Sequence, residues 1–377
     1  MPTGTSSNRT LIALTTVAPL FSLLPTAALS EPTPVNVVIT DKGCEPNSLT
    51  VAEGKSTFAI KNASRRALEW EILDGVMVVE ERENIFPGFT QTLSATLSPG
   101  EYQMTCGLLS NPKGKLIVQA AAPGAKAPVN ALDLVGPLAE YKLYVSRETD
   151  ALFTGAKAFV AAIKANDLAK AQKLYAPTRA HYERIEPVAE LFDDLDKAID
   201  VRADDFEKKE EDPGFVGFHK IEKFLFVDKS TAAAQQAADK LIDDVQELHN
   251  RIENLTIPAG KMVAGAANLI EEVAATKITG EEERYSHTDL WDFQANVDGA
   301  QKIYTLLRPL LTKWNATFVK RVDANFKQVH AILAKYKSSD GFQSFDKVRE
   351  NDRRAMKGPI TTLAEDLSTL RGKLGLE

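Results

Sequence analysis

The chain has 377 residues, 44% of them hydrophobic and 26% charged, with a formal net charge of −7. That length asks for about two domains rather than one core, and that composition excludes a disordered or membrane-spanning chain. The acidic balance disfavours nucleic acid as a partner and suits cations or basic surfaces.

The first element in chain order is a targeting segment. Arg9 precedes the apolar run LIALTTVAPLFSLL, and TAALS then offers the small residues Ala28 and Ser30 for a cleavage site. Residues 1–30 are therefore predicted to be a secretory signal peptide. A retained anchor is opposed by Pro19 and Pro25 and by a run shorter than a bilayer span. Cleavage removes Arg9 and no acid, leaving 44 Lys and Arg against 52 Asp and Glu, a formal charge of −8. Export also places Cys44 and Cys106 in an oxidising compartment, where they could pair.

Residues 31–120 read as all-β. VNVVIT, LTVAEG, STFAIKNAS, ALEWEIL, VMVVEE, FTQTLSATL and GKLIV are short, rich in β-branched residues and separated by turn formers. Such spacing predicts a sandwich of two packed sheets. The stretch QAAAPGAKAPVNA has almost no large apolar side chain and predicts a linker, assigned to residues 121–132. From residue 133 to 377 the apolar period changes to three and four, which predicts an all-α helical bundle. The expected fold class is thus multidomain, an N-terminal all-β sandwich followed by a C-terminal all-α bundle.

Within the helical part, GFHKIEKFLF puts His219 and Glu222 three residues apart, so both project from one face of a helix. HYERIEP offers a second such pair, Glu183 and Glu186, with Pro187 expected to kink or stop the helix. Di-metal bundles are built from pairs of this kind on facing helices, although solvated faces carry them as well. The apolar neighbours of His219 (Phe218, Ile221, Phe224, Leu225) turn it into protein, where a polar group needs a partner. Asp200, Asp204, Asp205, Glu281, Glu282, Glu283, His287 and Asp289 are further candidates. A straight helix would set Glu186 and Asp200 about 21 Å apart, so they share an ion only if the chain bends back at Pro187. The run Glu281–Glu283 is expected by default to be a solvated face. Carboxylates with one imidazole suit iron, manganese, calcium or magnesium better than a soft metal. No H-E-x-x-H motif occurs, so a zinc peptidase has no named base.

In the β-part, PGEYQMTCGLLSNPKGKLIV resembles the end of a cupredoxin, where a copper-ligand cysteine leads into a ligand loop and the last strand. No histidine precedes His181, so a blue-copper centre lacks its ligands. Cys44, Glu69 and Cys106 stay open as ligands of another site, with a Cys44–Cys106 disulfide as the alternative.

The order of these features, with YAPTRAHYERIEPVAELF, GFHKIEKFLF and SHTDLWDFQANVDGAQKIY, resembles the periplasmic components of EfeUOB-type bacterial iron-uptake systems. The helical half of these proteins is of the imelysin (insulin-cleaving peptidase-like) family. The resemblance covers essentially the whole mature chain. It implies a non-enzymatic protein that binds iron, Fe2+ or Fe3+, in the periplasm and passes it to a membrane iron permease, alongside a haem peroxidase. Electron transfer is an additional role it allows. It maps a metal site onto His219, Glu222, Glu183, Glu186, Asp200 and Glu282, and a second onto Cys44, Glu69 and Cys106 of the cupredoxin-like domain. Copper or zinc are alternatives at either site. Contact with the membrane would be peripheral or absent. The alternative functions are a metal-dependent peptidase of imelysin type and a metal-mediated polysaccharide-binding protein.

Overall fold

The computed structural model describes residues 34–119, 132–275, 277–374 and 376. The signal-peptide assignment to residues 1–30, and almost all of the proposed linker, lie outside them.

Among the described residues of the N-terminal part, alternating apolar residues build nine strands: β1 Val35–Thr40, β2 Gly43–Glu45, β3 Ser48–Ala52, β4 Gly54–Asn62, β5 Leu68–Asp74, β6 Met77–Ile85, β7 Thr90–Leu97, β8 Gly100–Met104 and β9 Gly114–Gln119. They form a four-stranded sheet, β2-β1-β4-β7, and a five-stranded sheet, β3-β9-β8-β5-β6. The inward residues of both pack into one core around Phe58 and Trp70, whose rings lie 5.2 Å apart. Cys44 of β2 and Cys106, just beyond β8, are joined by a disulfide that ties one sheet to the other.

The helices are α1 Leu132–Lys164, α2 Leu168–Glu183, α3 Glu186–Ala189, α4 Asp193–Ile199, α5 Gly217–Phe226, α6 Thr231–Asn254, α7 Ala259–Ala275, α8 Asp289–Trp314, α9 Ala316–Leu333, α10 Glu350–Ser368 and α11 Leu370–Leu374. One continuous apolar cluster unites them, from Tyr141 and Phe159 of α1 to Ile360 and Leu363 of α10. Among the described residues no helix is long and apolar enough to cross a membrane.

Two local features place the later site. Pro187 ends the run of α2: the chain breaks after Glu183, restarts at Glu186 with Pro187 in the first turn, and turns back through α4. The second feature is Gly217, at φ +70°, where a Cβ would stand 2.2 Å from the Ile199 carbonyl oxygen. Only glycine lets α5 start that close to the end of α4, and hence lets His219 approach Asp200.

The sandwich docks on the bundle through its β6 edge, which would otherwise present unpaired backbone groups. The Val78 N–H donates to the Leu191 carbonyl and the Asp193 N–H to that of Val76, both at 3.0 Å. Arg371 pairs with Glu80 at 3.0 Å, Arg82 with Glu271 at 3.1 Å and Lys197 with Glu71 at 2.9 Å.

Candidate metal centre

The centre is assembled from eight pieces of chain. α2 brings Arg179 and Glu183, one turn apart; α3 begins with Glu186; Asp200 caps the end of α4; α5 carries His219 and Glu222. Glu272 comes from α7 and Lys277 from a short 3-10 turn. Glu282 and Glu283 lie on the turn before α8, whose first turns add Asp289, Asp292 and Asn296 on one face.

His219 is the pivot and is 2% exposed. Its Nδ1 lies 3.3 Å from Glu222 Oε2 and 4.0 Å from Glu283 Oε1. Its Nε2 is buried without a hydrogen bond and faces Asp200 Oδ1 at 3.7 Å and Glu282 Oε1 at 3.8 Å. Glu222 is held from its other side, because its Oε1 accepts the backbone N–H groups of Tyr285 at 2.9 Å and Ser286 at 2.6 Å. Ligand-type atoms of Asp200, His219 and Glu282 lie within 4.8 Å of one another, as do those of Glu183, Glu186 and Asp200. Asp200 is common to both groups. A hard cation holds its oxygens at about 2.0–2.6 Å, so donors this close can share one.

The acids are balanced only in part. Arg179, fully buried, pairs with Glu183 at 2.5 Å, Glu283 at 2.6 Å, Glu282 at 3.1 Å and Asp292 at 3.6 Å, and with Asp200. Lys277, also fully buried, pairs with Glu183, with Glu272 at 3.2 Å and with Glu186 at 3.4 Å. Arg202 meets Glu282 at 2.6 Å, and Asn296 Nδ2 donates to Glu186 at 2.8 Å and Glu183 at 3.1 Å. Nine carboxylates (Glu183, Glu186, Asp200, Glu222, Glu272, Glu282, Glu283, Asp289, Asp292) thus surround three fixed cations.

Titration follows from this surplus. Burial, then neighbouring acids such as Glu183 and Glu283, raises Glu186, Glu222 and Asp292 well above the usual carboxylate range. The same causes push Asp289 up to about 7. At Glu282 burial is outweighed by Arg202, Lys277 and Arg179, which hold the carboxyl down. Burial and the Arg179 charge keep His219 well below its ordinary value, so its imidazole is neutral. A neutral imidazole is the ligating form, and the tautomer with its proton on Nδ1 points that proton at Glu222 and leaves the Nε2 lone pair toward Asp200 and Glu282. One imidazole nitrogen among carboxylates is a donor set for a hard or intermediate cation. A cavity of about 410 Å3, lined by His219, Glu282, Arg202 and Tyr285, opens on it.

The structure brings His219, Glu222, Asp200 and Glu282 together and places Glu183 and Glu186 beside them, through Asp200. The bend at Pro187 closes the gap that a straight helix would leave. The expectation of a solvated face at Glu281–Glu283 is corrected: Glu281 is exposed, but Glu282 and Glu283 are buried because Arg179 and Arg202 supply partners. Asp204 pairs with Arg284 and Lys209 at the surface, Asp205 caps the Arg202 N–H, and His287 is half exposed, 3.9 Å from Asp346. Sequence reasoning missed Arg179, Lys277 and Asp292; the spacings Arg179–Glu183 and Asp289–Asp292 were the available signals. The second-site expectation is also corrected. Cys44 and Cys106 are bonded to each other, so neither offers a thiolate, and Glu69 stands 3.7 Å from Lys197.

The chain matches the imelysin family over residues 137–370 and a cupredoxin-like domain over residues 11–118. It is 61% identical over 345 residues to the "Iron uptake system component EfeO" of Yersinia pestis, covering 91% of this chain and 92% of that one. It is 59% identical over 362 residues to the protein of the same description from Escherichia coli K12, covering 96% of each. Among solved structures, a Parabacteroides distasonis protein described as an iron-regulated protein A precursor aligns with TM-score 0.50 and 16% identity, over 67% of this chain and 98% of that one. That likeness concerns the fold alone.

Proposed function

Since the chain belongs to the EfeO family of iron uptake system components, we propose that it is a periplasmic, non-enzymatic iron carrier whose cargo sits in the buried acid cluster. The observation that carries this reading is the unpartnered Nε2 of His219, neutral, buried and facing Asp200 and Glu282. These three supply the first donors. Glu183 and Glu186 extend the carboxylate surface behind Asp200, while Glu222 orients the imidazole from its far side. Arg179 and Lys277 occupy cationic positions among the acids. An arriving ion takes over part of that neutralisation, and the acids raised by burial give up protons as it binds.

On this reading the protein captures iron and hands it to a membrane permease, with a haem peroxidase as a further partner. Electron transfer in the sandwich would need a redox group other than blue copper, because that domain contains no histidine. The relatives are described as uptake components, and the chain lacks the H-E-x-x-H pattern, so the peptidase and polysaccharide-binding readings gain no support.

The test is anaerobic Fe2+ titration of the wild type, His219→Ala and Asp200→Asn, with a generic protease assay beside it. The reading expects each variant to bind iron at least about tenfold more weakly and all three proteins to be inactive as proteases. Unchanged affinity in both variants would overturn it.

A further inference from the structure

A second group of donors lies where the sandwich meets the bundle, and none of it belongs to the buried centre. Residues two apart in a strand point to one face, so Glu81 and Glu83 of β6 project together. The backbone bonds of Val78 to Leu191 and of Asp193 to Val76 bring Glu190, just after α3, alongside that strand. One oxygen from each of Glu81, Glu83 and Glu190 lies within 4.8 Å of the other two.

What marks this group as more than a charged surface is the state of its atoms. Glu83 Oε1 and Glu190 Oε2 are cut off from solvent and have no hydrogen-bond partner. Lys261 stands 3.7 Å from Glu81, but among the described residues no ion pair forms to Glu83 or Glu190. The hydroxyl of Tyr141, a wholly buried residue of α1, also lacks a partner, and Glu190 is the carboxylate whose charge acts on it. Uncompensated carboxylates from two domains oppose the docking of those domains unless protons or a cation sit between them.

We propose that Glu81, Glu83 and Glu190 form an interdomain site for a hard divalent or trivalent cation. An all-oxygen set of this kind takes calcium, manganese, lanthanide or iron ions in preference to soft metals. A cavity of about 180 Å3 is lined by Glu83 and Glu190 and also by Asp200 and Glu282, so the two centres share one space. The interdomain site stands on its own residues and not on the assignment of His219.

The experiment is a Tb3+ luminescence titration of the full mature chain. The wild type is expected to show two classes of bound ion. Glu83→Gln with Glu190→Gln should remove one class or weaken it at least about tenfold, leaving the other. His219→Ala with Asp200→Asn should do the converse. If the first pair titrates like the wild type, the interdomain site is overturned; if only the second pair does, the site stands and the buried centre fails. Should the Glu83/Glu190 pair not fold, Glu83→Gln alone is read by the rise in Tm on adding Tb3+. A smaller rise than in the wild type supports the site, and an equal rise overturns it.

Discussion

Asp200 Oδ1 lies 3.7 Å from His219 Nε2, and the same oxygen accepts a hydrogen bond from Arg179. A fixed guanidinium and a prospective ligand therefore converge on one carboxylate. Arg179→Met should destabilise the ion-free protein by about 3–5 kcal/mol, because it strips the partner from several buried acids. Added Mn2+ or Fe2+ should recover a large part of that loss by taking the guanidinium's place. Urea unfolding with and without the ion checks this, and an equal loss in both conditions would count against it.

Glu222 tests the division between ligand and support. Its carboxylate is anchored by two backbone N–H groups and faces Nδ1, not the open nitrogen of His219. Glu222→Ala should weaken iron binding about 10–100-fold by freeing the ring, whereas Glu222→Gln, which can still accept from Nδ1–H, should lose much less. Equal losses in the two variants would make Glu222 a ligand.

The pH dependence has a definite sign. Burial raises Glu186, Glu222 and Asp292, and pushes Asp289 up to about 7. A carboxyl with a raised folded pKa binds more protons folded than unfolded between its two values, so stability there falls as pH rises. His219, held down by burial, acts the other way below about 6.5, but it is outnumbered. The ion-free protein should therefore gain stability from about pH 8 to about pH 5.5, and saturating Mn2+ should flatten that slope by displacing the protons beforehand. Denaturation midpoints across the range check it; an ion-free midpoint that drops steadily on acidification contradicts it.

Gly217→Ala should cost at least about 1–3 kcal/mol, since it adds a Cβ 2.2 Å from a backbone oxygen at φ +70°. The same substitution should weaken iron binding by pushing His219 from Asp200. An alanine variant with wild-type stability and affinity would show that the close approach of α5 to Ile199 is dispensable.

The disulfide and the buried centre should be separable. Cys44→Ala with Cys106→Ala removes a bridge spanning 62 residues and should cost about 2–4 kcal/mol. Iron affinity of the bundle should stay unchanged, and the denatured wild type should contain no free thiol. A thiol count of two would return the cysteines to the list of metal ligands.

Much of the architecture is local and was therefore legible. Alternation wrote the strands of the sandwich, the three-and-four period wrote the helices, and spacing alone marked His219–Glu222 and Glu183–Glu186 as pairs on one face. What spacing could not reveal is pairing across the chain. Glu282 looks like a solvated acid until Arg179, more than a hundred residues earlier, is seen against it. Asp200 looks out of reach of Glu186 until the chain turns back at Pro187. Lys277 carries no local mark of burial, because its partners Glu183, Glu186 and Glu272 come from other elements. The interdomain acids were invisible for the same reason: β6 reads as an ordinary polar edge until Leu191 pairs with it.

The most direct test of the account is an anomalous difference map at the iron absorption edge, from crystals of the protein soaked anaerobically in Fe2+. The account predicts a peak within bonding distance of His219 Nε2, Asp200 and Glu282. Iron bound elsewhere in the bundle, with no peak between those three side chains, would contradict it.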